Sequence, residues 1–144
     1  MPKTTFTTVA HAPANLETTV TSRGMSFTLD EPTDLGGTNK GMNPVEALLG
    51  ALGACKCIVV RSFAAAQGIK LNDVKIECSG VLDPDGFMGK NPAAKIGFSE
   101  IHTRFHIDAD NTREELVAFL DFVESHCPVQ DTLSNPATSS FELA

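Results

Sequence analysis

Tryptophan and tyrosine are both absent from the 144 residues, although nine phenylalanines remain. That removes the larger aromatic platforms on which single-strand nucleic-acid binders stack bases. Positive charge is also scarce: 11 Lys and Arg stand against 18 Asp and Glu, a formal charge of −7. Nucleic acid and anionic membrane are polyanions, so neither is an expected partner. The longest apolar run falls short of a membrane span and is broken by Lys56 and Arg61. The opening MPKTTFTTVA holds no apolar stretch after a basic start, so no secretory signal is expected. Four cysteines in such a chain read as reduced thiols in a cytoplasmic setting rather than as a disulfide scaffold. There is no internal repeat, low-complexity tract or linker. One domain spanning residues 1–144, with a modest core, is expected.

What is present centres on NPVEALLGALGACKCIVVRSFAAAQ, an apolar helix expected from Asn43 to Gln67. Asn43 suits the cap, Pro44 the first helical position, and Glu46 the third residue of a capping box. Val45, Leu48, Leu52, Cys55, Val59 and Phe63 form one stripe, and the far side is mostly Ala and Gly. A helix apolar or small all round is expected to be covered on every side. Gly50 and Gly53 weaken it intrinsically, which predicts close approach of another backbone.

Before that helix, residues 4–30 alternate as strands, with Arg23-Gly24 as a hairpin turn. Residues 31–42 are a glycine-punctuated loop. A phosphate loop is excluded, because no Gly-Lys-Ser/Thr follows. After the helix, Gly68 marks a stop. LNDVKIECSGVL then alternates as a strand that places Cys78 on an apolar face, and Asp83–Gly86 is a turn without the rest of a calcium loop. The next strand, from about Ala94 to Asp108, carries His102 and His106 on its polar face. Positions four apart on a strand are roughly 13 Å apart, too far to share one ion. Thr112 and Glu115 open a second helix with the stripe Leu116, Leu120, Val123 and Cys127, ended by Pro128. A short helical turn, PVQDTLS, and a final strand near Ser139–Leu143 close a β-β-β-α-β-β-α-β order, an α+β domain.

The cysteines carry the chemical question. Cys55 and Cys127 each fall on the inward stripe of a helix and meet if the helices pack together. Cys57 lies about 200° around the helix from Cys55, which excludes their chelating one metal. Pattern alone favours structural thiols, since free Cys is among the most buried residue types. Reactivity needs a thiolate, and Cys55 is too far into its helix for the dipole to supply one. A cation must come from elsewhere, with Arg23 and His126 as candidates; Lys56 is expected to point aside. Cys127 is placed to gain from the amides of the helical turn that follows it.

Gly36-Gly37, Asn43-Pro44, Leu48-Leu49, Gly53-Ala54-Cys55 and Cys127-Pro128-Val129, with Asp30-Glu31-Pro32 and the element order, resemble the OsmC/Ohr family of peroxide-reducing proteins. The resemblance implies an OsmC-like fold, with antiparallel sheets packed on two central helices in an intertwined homodimer. It implies Cys55 as the attacking thiolate and Cys127 as the resolving thiol. An Arg in the N-terminal region (here Arg23) and a Glu near the helix start (here Glu46) would hold the thiolate. In the organic-hydroperoxide branch the Glu directly follows Asn-Pro. Here that place is Val45, and Glu46, nine residues before Cys55 and on the opposite helix face, fits the cap better than the site. The activity implied is thiol-dependent reduction of organic hydroperoxides, without a bound cofactor and with an external dithiol of lipoyl type as reductant. A pocket walled by Leu48, Leu52, Val59 and Phe63 would favour organic substrates. The rival reading is a small-molecule binding module of the same fold with inert thiols.

Overall fold

The computed structural model describes residues 1–144, and the chain divides into two compact units, Met1–Leu48 and Leu49–Ala144. In the first unit, β-branched and alternating residues form an antiparallel sheet of β1 (Val9–His11), β2 (Thr18–Ser22) and β3 (Met25–Leu29). Ser22 pairs with Met25, leaving Arg23-Gly24 as a two-residue hairpin link. Both have positive φ, 52° and 81°, as a type I′ turn requires to match the twist of its strands.

The loop after β3 is organised by one carboxylate. Asp30 is 2% exposed. It accepts the Thr38 hydroxyl at 2.7 Å and the amides of Glu31 and Lys40 at 2.8 and 3.1 Å. These bonds, the Thr38 hydroxyl foremost, hold its carboxyl below the ordinary aspartate value although burial opposes them. The loop glycines serve this fold-back. A Cβ at Gly37 would lie 2.0 Å from the Glu31 carbonyl oxygen, and one at Gly41 would lie 2.2 Å from that of Thr28.

α1 (Pro44–Phe63) opens on the expected capping box. Glu46 N–H donates to Asn43 Oδ1, and Asn43 N–H donates to Glu46 Oε1, both at 2.9 Å. The boundary between the units falls inside this helix. The regular helix ends at Phe63, four residues short of Gln67, although Gln67 N–H still donates to the Phe63 carbonyl at 3.0 Å. Gly68, at φ 74°, then lets Ile69 N–H reach the Ala64 carbonyl at 2.8 Å, closing the helix end.

The second unit pairs β4 (Leu71–Leu82) with β5 (Phe98–Ala109), antiparallel, with Cys78 opposite Thr103. Between them the expected turn is a single helical turn, α2 (Pro84–Phe87), capped by Asp83. His106 Nε2 lies 2.6 Å from Glu77 Oε1 on the outer face, so that histidine is occupied by a cross-strand partner. α3 (Arg113–His126) starts on the Thr112/Glu115 capping box, and α4 (Pro128–Ser134) follows directly. The core gathers Leu52, Val59, Val60 and Ala64 with Ile69, Phe119, Val123 and Cys127.

Four expectations need correction. The buried residues of α1 are Leu52, Gly53, Lys56, Val59 and Val60, so the buried face is rotated from the expected stripe. Ile58 is 66% exposed, and the helix is not covered on every side within this chain. Neither helix glycine is required by close backbone approach: a Cβ at Gly53 would meet Cys78 Sγ on β4 at 3.5 Å, an ordinary contact, and one at Gly50 meets nothing within 4 Å. The final strand near Ser139–Leu143 does not form. Phe141 and Leu143 stand in solvent, and a strand without a neighbour to complete its ladder has no hydrogen bonds to hold it.

Because Asp30 is depressed in the folded state, its contribution to stability is complete above the ordinary aspartate value of about 4. It is lost as pH falls below that through the lowered value. Asp30→Asn should therefore lower the melting temperature at neutral pH and flatten its fall between about pH 4 and pH 2, read from thermal melts across that range. Leu52→Ala, at a site with no exposed surface, should cost about 2–5 kcal/mol in urea unfolding.

Candidate active site

The second unit brings Cys55 and Cys127 together. Cys55 lies midway along α1 and is partly buried, while Cys127 follows α3 and is 1% exposed. Both are free thiols, 72 residues apart in sequence, with the Cys127 thiol donating to Cys55 Sγ at 3.0 Å. Local chemistry puts the second sulfur there. Pro128 disfavours helical geometry at Cys127, whose backbone is extended at φ −88°, ψ 110°. The chain therefore breaks between α3 and α4, and Cys127 becomes the cap of α4, its sulfur accepting Gln130 N–H at 3.4 Å. Phe119 and Val123, buried on α3, seat that helix in the core.

The two sulfurs are not equivalent. Burial pushes the Cys127 thiol up, and its bond to Cys55 adds to this; the Gln130 and Val129 amides pull the other way. The amides that were expected to favour a thiolate at Cys127 do reach it, and burial outweighs them. Cys127 therefore keeps its proton and directs it at the more accessible Cys55.

Of the expected cations, His126 is engaged elsewhere. His126 Nδ1 lies 2.8 Å from the Phe122 carbonyl, which can only accept, so that nitrogen carries the proton. Its ring stacks on Phe122 at 3.9 Å. Lys56 points aside from Cys55, as expected, yet turns into the core. It is 1% exposed, and its Nζ donates to Glu124 Oε1 at 2.7 Å and Thr103 Oγ1 at 2.8 Å. Sequence reasoning missed this residue, although Leu52, Lys56 and Val60 recur at the four-residue spacing of one helix face. Within the second unit, the donor to Cys55 Sγ is Cys127 alone. Arg23 and Glu46 belong to the first unit. The Arg23 side chain is exposed and makes no hydrogen bond or ion pair, whereas the Glu46 carboxylate is taken up by the cap of α1.

The expected apolar pocket is also altered. Leu52 and Val59 are packed in the core rather than lining an open wall. Phe63 meets Phe122 edge-on at 5.2 Å, and with His126 they form an aromatic cluster beside Cys127. Burial, with Cys78 nearby, also pushes the Cys57 thiol up. Cys78 itself lies 3.8 Å from the Thr103 hydroxyl. No helix is long and apolar enough to cross a membrane.

This fold, with a paired thiol between a central helix and a Cys-Pro junction, defines a class. The family described as OsmC-like protein matches residues 37–142. A hydroperoxide reductase of Mycoplasma genitalium is 34% identical over 106 residues, covering 73% of this chain and 70% of that protein. Its counterpart in Mycoplasma pneumoniae is 32% identical over 97 residues, covering 67% of this chain and 64% of that one. The crystal structure of an OsmC-like protein from Mycoplasma pneumoniae superposes with a TM-score of 0.81 at 28% identity, covering 94% of this chain and 91% of that one. The chain belongs to the OsmC-like protein family.

The asymmetry of the thiols has a direct readout. Iodoacetamide at neutral pH should modify Cys55 ahead of Cys127, with Cys127 gaining reactivity only above the ordinary thiol range of about 8.5. Peptide mass spectrometry of labelling time courses at several pH values checks this, and the reverse order would contradict the assignment of donor and acceptor.

Proposed function

We propose that this protein is a thiol-dependent peroxidase that reduces organic hydroperoxides with Cys55 as the attacking thiolate and Cys127 as the resolving thiol. The observation that carries this reading is the 3.0 Å sulfur pair in which Cys127 is the donor. Relatives named hydroperoxide reductase support it at the level of the family. The more accessible sulfur, already accepting a hydrogen bond, is the better seat for negative charge and the one a peroxide reaches first.

Cys55 thiolate attacks the terminal peroxide oxygen. The O–O bond breaks, the alcohol leaves with a proton, and Cys55 becomes a sulfenic acid. The Cys127 sulfur then attacks the Cys55 sulfur; an S–S bond forms, the S–O bond breaks, and the hydroxyl leaves as water with the Cys127 proton. An external dithiol of lipoyl type restores both thiols by exchange. Starting from 3.0 Å, the sulfurs need approach by only about 1 Å to reach disulfide length. No bound cofactor takes part.

Arg23 and Glu46 are assigned to holding the thiolate on the family resemblance, with Glu46 also serving the cap of α1. The assembly proposed is a homodimer. Met25 and Phe27 on β3, Ile58 on α1 and Val117 on α3 are large apolar side chains about half or more exposed in the single chain, surface that a second copy would cover. The rival, a binding module with inert thiols, draws on the lack of a cationic donor to Cys55 within the second unit.

One equivalent of cumene hydroperoxide followed by digestion without reductant separates the two. The peroxidase yields a Cys55–Cys127 cross-linked peptide; two unmodified thiols would leave the binding module. In turnover assays with a dithiol, Cys55→Ser should abolish peroxide consumption, and Cys127→Ser should retain a single turnover.

A further inference from the structure

The second unit buries one ammonium group, and the sulfur chemistry as written makes no use of it. Lys56 follows Cys55 on α1, and Glu124 precedes Cys127 by three residues on α3. Their 2.7 Å ion pair therefore ties α1 to α3, the helix that leads into Cys127. Apart from the contact between the sulfurs themselves, it is the only polar bond between α1 and α3 in the second unit. A third partner fixes its geometry, since Nζ also donates to Thr103 Oγ1 on β5, and it lies 5.7 Å from the Phe105 ring centre. An ion pair whose ammonium is buried while its carboxylate stays 40% exposed is a weak source of stability, because desolvation of the buried charge cancels much of the attraction. What it supplies is a defined geometry.

That geometry matters at one stage. Once Cys55 carries oxygen as a sulfenic acid, the S–H···S bond of the reduced protein no longer exists in its original form. The end of α3 must nonetheless keep Cys127 aimed at the Cys55 sulfur. We infer that Lys56 and Glu124 are positioning residues that hold α3 in register with α1 during this interval, so that disulfide closure outruns further oxidation. The inference rests on the peroxidase reading and deepens it, assigning the ion pair to the second step and not the first. Loss of the pair leaves peroxide attack unchanged, slows closure, and exposes the sulfenic acid to a second peroxide and conversion to sulfinic acid.

Reduced full-length protein, pulsed with cumene hydroperoxide and quenched with dimedone, reports both steps by intact mass. In Lys56→Met, sulfenic acid should form at the wild-type rate and persist about tenfold longer, with a matching rise in the dimedone adduct. Glu124→Gln should shift the same way by a smaller factor, because its amide oxygen still accepts from the ammonium. Wild-type closure rates in both variants would overturn the inference, as would equal slowing of both steps, which is the mark of general disruption. Should Lys56→Met fail to fold by circular dichroism, Glu124→Gln, at a side chain 40% exposed, decides by the same criterion.

If wild-type protein forms neither sulfenic acid nor the Cys55–Cys127 disulfide, the peroxidase reading itself fails. Equilibration with glutathione then tests positioning without peroxide. A Cys55–Cys127 disulfide about tenfold easier to reduce in Lys56→Met supports it, and an unchanged equilibrium overturns it.

Discussion

The hydrogen bond from Cys127 to Cys55 joins positions 72 residues apart, and most of the second unit can be understood as what makes that meeting possible. Two thiols do not find one another across such a span by their own attraction; an S–H donor is weak. Apolar burial brings them there. Val59 and Val60 on α1, Phe119 and Val123 on α3, and Ile69 beyond the helix end form one contiguous core that includes Cys127 itself. The sulfurs sit at the edge of that core, one closed off and one partly open. Burial thereby also pushes the Cys127 thiol up.

A different physics shapes the first unit. Its sheet is short, and large side chains such as Val9, Met25 and Phe27 stand in solvent. Order in the loop comes from Asp30, which satisfies backbone amides and a hydroxyl from residues up to ten positions away. A buried carboxylate is tolerated there because every bond it accepts favours the charged form. Gly37 and Gly41 admit carbonyl oxygens at distances that no side chain would allow, so the glycine pattern has a steric explanation with no anion in it.

Features governed by neighbours in sequence were readable before any coordinates. Asn43 with Glu46 and Thr112 with Glu115 form the capping boxes their spacing predicts. Arg23-Gly24 makes its turn, Gly68 ends its helix, and Pro128 forces Cys127 out of helical geometry. Features governed by distant residues were not readable in the same way. The spacing of Leu52, Lys56 and Val60 allows a buried lysine, yet only the presence of Glu124 and Thr103 at its tip makes that burial affordable. Alternation at Ser139–Leu143 resembles a strand, but pairing needs a partner edge that the local sequence cannot supply.

By itself, then, the sequence determined where helices and turns begin and end, that two cysteines would ride on inward-facing helix positions, and that the chain resembles the OsmC/Ohr proteins. These follow from dihedral preference, capping and periodicity, which act over a few residues. Tertiary structure alone decided which face of α1 is buried, that Lys56 turns inward to Glu124, and that Cys127 is the donor of the pair. Those outcomes depend on desolvation and on the identity of the group at the far end of each contact. Neither exists until segments far apart in the chain are packed together.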